Sequence, residues 1–120
     1  MANDFKSFSK TNIAIDSGAY SVLYTALSGK ETILLEVDIA NTTVDDITVD
    51  CKINKNRGGT GGTDDIFIIK GAPLPAGGAL KVVSGQKIVM MSTSTGADTV
   101  TVAASVANAA DCIVSLLEDV

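Results

Sequence analysis

The sequence of 120 residues contains no histidine and no tryptophan. Histidine is the side chain used most often as a general base and as a metal ligand, so its absence removes the commonest routes to catalysis and metal binding. The acidic pairs Asp45-Asp46 and Asp64-Asp65 lack the spacing of a calcium loop, and neighbouring residues of an extended chain point in opposite directions. We therefore predict no catalytic residues, no metal, no cofactor and no enzyme activity.

Charge and the lack of long apolar runs argue against two further classes of partner. The net charge of -5 repels the phosphate backbone of nucleic acids. No apolar run approaches the roughly 18 residues that cross a bilayer, and the N-terminus lacks the apolar segment of a secretory signal. We therefore predict no direct nucleic-acid partner, no membrane partner and no signal peptide. We expect the protein to be made in the cytoplasm of a cell.

Only two cysteines, Cys51 and Cys112, are present, and both fall in strand-like runs with apolar neighbours. They could form a disulfide if their strands are adjacent. For a protein without an export signal, two reduced and buried thiols are the favoured expectation.

Alternation between apolar and polar residues is the dominant pattern of the chain. Residues 47–54 alternate strictly, residues 32–39 do so apart from Leu34, and residues 98–103 repeat the pattern with threonines. Successive side chains of a strand point to opposite faces, so each run predicts a strand with one dry face. With turn signals every ~8–12 residues, the pattern predicts an all-β, antiparallel two-sheet β-sandwich. We expect a jelly-roll or immunoglobulin-like type with about eight or nine short strands.

Residues 64–91 combine apolar runs with clear turn signals. The signals at residues 75–78 and at Ser84-Gly85 predict a division into three short strands. The glycine-rich loop at residues 58–62 precedes this stretch and is predicted to form a flexible hairpin tip. The sequence does not assign a function to this loop.

The chain length fits one domain, which we place at residues 13–120. Residues 1–12 are polar apart from Phe5 and Phe8 and are predicted to form an N-terminal arm. Two interpretations of this arm are open. It docks on a neighbouring molecule, or it is an ordinary first strand that places one ring under the sheet.

The run from Ile66 to Ile69 is apolar on both faces of its strand. Such a strand is either central and covered on both sides or turned towards another subunit. Because two-layer antiparallel sheets normally leave one face wet, we favour the subunit contact. The hydrophobic content of 46% fits an interface, and it also fits a core rich in valine, isoleucine and alanine. The predicted interface residues are Phe5, Phe8, Ile66, Phe67, Ile68 and Ile69.

A series of turn and strand motifs resembles a known class of protein. The motifs are, in order, IANTT at 39–43, ITV at 47–49, APLPAGG at 72–78, GQKIVM at 85–90, GADTVTV at 96–102 and VSLLE at 114–118. This order looks like that of the small β-sandwich structural proteins of tailed bacteriophage particles, notably phages of cyanobacteria. The resemblance covers about residues 20–118 and includes no catalytic motif.

The resemblance implies a location in the virion and a passive structural function. Proteins of this class decorate capsids as cement by binding the major capsid protein, or they belong to the neck, tail or fibres. It also implies a homo-oligomer, with a trimer as the first expectation, and the partners would be sister copies and other virion proteins. A ligand-binding β-sandwich outside virions is a further alternative, but two tyrosines scarcely supply the aromatic patch it would need.

Overall fold

The computed structural model describes residues 3–27, 29–56, 64–93 and 96–119. Within those ranges the chain forms eight β-strands and no helix. The strands are β1 (Asn3–Lys10), β2 (Ser21–Thr25), β3 (Glu31–Asn41), β4 (Ile47–Asn54), β5 (Asp65–Leu74), β6 (Ala79–Met91), β7 (Thr99–Ala104) and β8 (Ala110–Asp119). The all-β class that the alternation predicts is confirmed.

The strands form two four-stranded antiparallel sheets. Sheet A has the strand order β1-β8-β3-β6, and sheet B has the order β2-β7-β4-β5. The first and last strands are neighbours in sheet A, and the chain changes sheet after every strand except β4. This arrangement is the eight-stranded jelly roll, one of the two sandwich types that the sequence predicts.

The core lies between the two sheets, and β4 shows how the sequence builds it. Its odd residues Ile47, Val49, Cys51 and Ile53 are buried, as their alternation predicts. The other strands add mainly valine, leucine and alanine from their own inward faces. Branched side chains of this kind fill a pleated surface densely, so apolar contact across the gap holds the sheets together.

Both cysteines are free and buried, which confirms the expectation of two reduced thiols. Cys51 belongs to β4 in sheet B and Cys112 to β8 in sheet A, so their strands are not paired neighbours. Burial raises the pKa of each thiol to about 12. At neutral pH both side chains are therefore protonated and behave as small apolar groups.

A β-bulge reverses the predicted faces of β3. The pairing of β3 with both of its neighbours shifts between Leu34 and Glu36. Leu34 is therefore buried, whereas Ile33 and Leu35 belong to the outer face and are half-buried. The alternation predicted for residues 32–39 is wrong in its first half, because a bulge moves the following residues to the opposite face.

A second bulge joins two segments that the sequence predicts as separate strands. Ser84 pairs with Glu36 and Ile88 pairs with Leu34, so residues 85–87 stand opposite one residue of β3. The Ser84-Gly85 signal therefore marks an irregularity within a single strand of 13 residues rather than a turn.

The predicted N-terminal arm is an edge strand of sheet A. Residues 3–10 pair with β8 along their whole length, so the boundary placed at residue 13 is corrected. Phe8 pairs with the buried Val114 and lies on the inward side of the sheet, where its ring packs on Tyr24 and stays 39% exposed, whereas Phe5 pairs with Leu117 and faces outwards. The structure thus matches the interpretation of a first strand with one ring under the sheet. The glycine-rich loop at 58–62 lies outside the described residues.

Two adjacent leucines of β8 test the assignment of its faces. Leu116 is fully buried and Leu117 is half-buried on the outer face. We expect Leu116→Ala to lower the free energy of unfolding by about 2–5 kcal/mol, because it leaves a cavity in the core. Leu117→Ala is the matched control and should cost less than about 1 kcal/mol. Urea unfolding of both variants measures the difference, and equal costs would contradict the assignment.

Candidate interaction surfaces

An apolar row crosses the outer face of sheet A from edge to edge. Phe5 pairs with Leu117, Leu117 with Ile33, and Ile33 with Val89, so the four side chains form one transverse row. The Phe5 side chain is 78% exposed. Val89 is also exposed, and the two central residues are half-buried. Sequence reasoning identified Phe5 but missed the other three, because a row across strands depends on the pairing register.

The rows towards the middle of this face carry charged and polar groups beside the exposed Ile113. Lys81 lies 3.6 Å from the Glu36 carboxylate and 3.8 Å from that of Asp38. Burial and the adjacent Glu36 raise the pKa of Asp38, while Asp38 and Lys81 lower the pKa of Glu36. The apolar row is therefore bounded by charged groups on the side towards the middle of the sheet.

The outer face of sheet B is more polar than the outer face of sheet A. A depression of about 300 Å³ on this face is lined by Tyr20, Lys52, Asn54, Asn56, Asp65, Thr99 and Thr101. Its side chains contact one another. Thr101 donates a hydrogen bond to Asn54 at 2.9 Å, and the Lys52 ammonium lies 4.5 Å from the centre of the Tyr20 ring. These contacts are those of a hydrated polar sheet face.

Asp50 fixes the segment that precedes β2 against sheet B. Its carboxylate accepts hydrogen bonds of 2.6 Å from the Tyr20 hydroxyl and from the backbone N–H of Gly71. Burial, with the bond to Asp50, raises the pKa of Tyr20 to about 12.

Tyr24 belongs instead to the interior, because a bulge between Val22 and Tyr24 changes the face. The two tyrosines of the chain therefore lie on opposite faces of sheet B.

The predicted apolar run on β5 lies on an edge strand of sheet B, and its members divide into two pairs. Ile66 and Phe67 are exposed, whereas Ile68 and Ile69 pack against the core. The Phe67 ring has the ammonium of Lys70 at 4.9 Å and that of Lys52 at 5.6 Å from its centre. Contact of this run with another molecule remains a prediction.

A groove opens at the opposite edge, between β1 and β2. It has a volume of about 280 Å³ and is lined by Lys6, Phe8, Val22, Leu23, Tyr24, Thr25, Leu27 and Glu118. The Phe8 ring packs on Tyr24, with ring centres 5.2 Å apart. Val22 and Leu27 are exposed in this groove. Phe5 and Phe8 were predicted together as interface residues, but Phe5 belongs to the apolar row of sheet A and Phe8 lines this groove.

A buried carboxylate lies at the inner end of this groove, and sequence reasoning missed it. Glu118 is fully buried, with Lys6 Nζ 2.7 Å from its Oε1 and the Tyr24 hydroxyl donating to its Oε2 at 2.6 Å. The same hydroxyl lies 3.0 Å from Thr32 Oγ1. The three partners come from three different strands, so no local pattern in the sequence signals the cluster.

The partners of Glu118 determine its protonation. Burial by itself would raise the pKa of Glu118, but the hydrogen bonds from Lys6 and Tyr24 outweigh it and hold the pKa below the ordinary value. The hydrogen bond to Glu118 raises the pKa of Lys6, and burial raises the pKa of Tyr24 to about 12. The pair is therefore charged at neutral pH and ties β1 to the end of β8.

Within the described residues, no group of three or more histidine, cysteine, aspartate or glutamate side chains is placed to hold a metal ion. The same part of the chain contains no helix long and apolar enough to span a membrane.

Comparisons with known proteins give a likeness in fold. No family model and no curated protein matches the chain. The structure is similar to a chain of the T13 viral particle of infectious bursal disease virus, with a TM-score of 0.55 and 9% identity, over 97% of this chain and 30% of that one. A chain from the Gx strain of the same virus gives a TM-score of 0.52 and 11% identity, over 98% and 31%. This chain spans less than a third of those viral chains, and the likeness establishes the fold alone.

The Glu118 cluster predicts a specific pH dependence of stability. We expect Glu118→Gln to lower the free energy of unfolding at pH 7 by about 1.5–3 kcal/mol, because a charged hydrogen-bonded group is lost. Since the folded pKa lies below the ordinary 4.5, the contribution is present above that value and disappears as pH falls through the folded pKa. The stabilities of wild type and variant should therefore converge in acid. A difference independent of pH between 7 and 3 would contradict the charged pair.

Proposed function

We propose that this protein is a virion structural protein of a tailed bacteriophage, and specifically a decoration (cement) protein that binds the major capsid protein. The observation that carries the proposal is the difference between the two outer faces of the jelly roll. Sheet A presents an apolar row across its full width, whereas the middle of sheet B presents threonine, asparagine and lysine and its exposed apolar groups, Val22 and Phe67, lie at its edges. A protein that lies flat on a shell needs one face for the shell and one for water.

In this arrangement sheet A faces the capsid. The row of Phe5, Leu117, Ile33 and Val89 would be buried against apolar groups of the shell, and the adjacent charged groups would form its polar rim. Because the protein binds the assembled shell in preference to free subunits, it stabilises the assembled state by mass action. No chemistry is required of the chain.

Two further observations support a particle protein. The similar solved structures are chains of viral particles, and the order of sequence motifs resembles that of phage β-sandwich proteins. Repeated copies on a symmetric shell also explain why a small domain exposes apolar side chains both on one face and at its edges. The proposed partners are sister copies, in a trimer by analogy with cement proteins, and the major capsid protein.

Quantitative mass spectrometry of purified particles tests the location. A decoration protein should be present in many copies spread over the head, in a fixed ratio to the major capsid protein. A small number of copies confined to one vertex would indicate a neck, tail or fibre component instead. Absence from purified particles would contradict a virion function altogether.

Binding of variants to particles that lack the protein tests the apolar row. We expect Leu117→Lys to weaken binding at least about tenfold, because it places a charge in the middle of the row. Val106→Lys is the control, since Val106 is exposed in the turn between β7 and β8 and lies outside the row. Co-sedimentation with particles gives the affinity. Equal binding by both variants would show that sheet A does not face the shell.

A further inference from the structure

The exposed apolar side chains of the strands are concentrated at the two lateral edges of the sandwich. Strands β1 and β2 form one edge, and β5 and β6 form the other. In the described residues, the four edge strands expose six large apolar side chains and the four central strands expose only Ile113. The six are Phe5, Phe8, Val22, Ile66, Phe67 and Val89. The edge strands also carry charged residues, Pro73 and bulges, which oppose continuous strand addition, but their exposed apolar side chains leave surface that a partner could cover.

In sheet B, the register places exposed side chains of the two opposite edges in the same transverse row of paired residues. Val22 pairs with Thr101, Thr101 with Lys52, and Lys52 with Phe67, so Val22 and Phe67 end one transverse row. The adjacent row ends in Tyr24 at one edge and in Ile66 at the other. Val22 and Tyr24 both line the groove between β1 and β2.

In sheet A, exposed side chains of the two edges also share a transverse row. The apolar row on its outer face ends in Phe5 on β1 and in Val89 on β6. A second copy displaced sideways and rotated to follow the sheet twist, without a shift along the strands, would therefore bring Val89 of one copy to Phe5 of the next. The same movement would bring Phe67 to Val22, and Ile66 to the groove that the buried Tyr24 lines.

We propose that copies of this chain associate head to tail, with the Ile66-Phe67 edge of one copy in the groove between β1 and β2 of the next. The inference rests on the self-association included in the proposed function and names the two surfaces that carry it. The contact is heterologous, since two different surfaces meet, and it closes into a ring when the rotation between copies allows. The occupant of the groove is thus a second copy of the chain.

Strand direction fits this arrangement in both sheets at once. Each sheet has four antiparallel strands, so its two edge strands run in opposite directions. A sideways displacement combined with a rotation that follows the twist of the sheets therefore sets β6 antiparallel to β1 of the next copy, and β5 antiparallel to β2. Antiparallel neighbours are the arrangement already present within each sheet.

The charges at the two edges also fit. Following the rows across sheet A, Lys6 would face Ile88 of the neighbouring copy, and Lys10 would face Leu80. In sheet B, Asp65 would face Thr25. None of these rows brings two like charges together, which matters for a chain with a net charge of -5.

Two single variants and their mixture test the head-to-tail contact. Val22→Asp alters the groove, and Phe67→Asp alters the opposite edge. Wild type should associate in sedimentation velocity experiments, and each variant alone should associate at least about tenfold more weakly, because a charge would be buried at the contact. An equimolar mixture should form dimers and nothing larger, since one intact groove and one intact edge remain.

Val44→Asp is the control, because Val44 is 91% exposed in the turn between β3 and β4, at the opposite end of β4 from the row of Val22 and Phe67. It should associate like wild type. A monomeric wild type, a mixture without dimers, or a Val22→Asp variant that associates normally would each overturn the inference. Circular dichroism establishes that the variants are folded.

If an aspartate variant does not fold, Val22→Cys and Phe67→Cys provide the same test. Their mixture should give a disulfide-linked heterodimer, and each alone should remain uncrosslinked, because the two native thiols are buried. A mixture without crosslinks would count against the contact. These solution measurements are separate from the particle assays. Association in solution by a protein absent from particles would contradict only the proposed function, and a particle protein that fails these tests would contradict only this inference.

Discussion

The sandwich depends on the C-terminal strand β8, which lies between β1 and β3 in the middle of sheet A. Its inward side chains Val114, Leu116 and Glu118 are fully buried. The strand pairs with the first strand of the chain on one side and with β3 on the other. Sheet A is therefore complete only when the two ends of the chain meet. Pairing between such distant segments makes folding slow compared with a helical domain and makes the edge strand β1 dependent on β8.

Glu118 adds specificity to this pairing. The inward face of β1 carries three charged residues, Asp4, Lys6 and Lys10, beside Phe8. The observed register brings the Lys6 ammonium to the buried carboxylate. A slip of one residue would turn Lys6 to the outer face, and a slip of two residues in the direction that sets Asp4 opposite Leu116 would bring Asp4 instead of Lys6 to Glu118. An unpaired buried charge is costly, so the ion pair fixes the position of β1 even where it adds little net stability.

The sequence predicts the parts of this structure that depend on local pattern. The alternation in β4 identified its four buried apolar residues but not the buried Asp50, and the thiols of Cys51 and Cys112 are free and buried as expected. Bulges were not predictable, because one inserted residue leaves the composition of a strand unchanged while reversing its faces. For this reason the predicted faces were wrong in the first half of β3, and Ile33 was missed as a surface residue. The Lys6–Glu118 pair joins residues at opposite ends of the chain, so no local signal could reveal it.

The candidate surfaces could likewise be predicted only in part from local sequence pattern. Apolar composition identified Phe5 and the run from Ile66 to Ile69, but it could not separate exposed members from those packed on the core. That separation depends on which strands form the edges, and strand order is a property of the whole fold. The transverse rows that align Phe5 with Val89 likewise exist only once the register is set.

The irregular edges determine what kind of contact two copies can make. β5 contains Pro73 and two register shifts against β4, and β6 contains shifts against β3. Bulges and proline interrupt the backbone groups that a continuous strand addition would need. A contact at these edges therefore relies on apolar side chains rather than on an extended hydrogen-bond ladder. The same irregularities oppose uncontrolled growth of the sheets by strand addition.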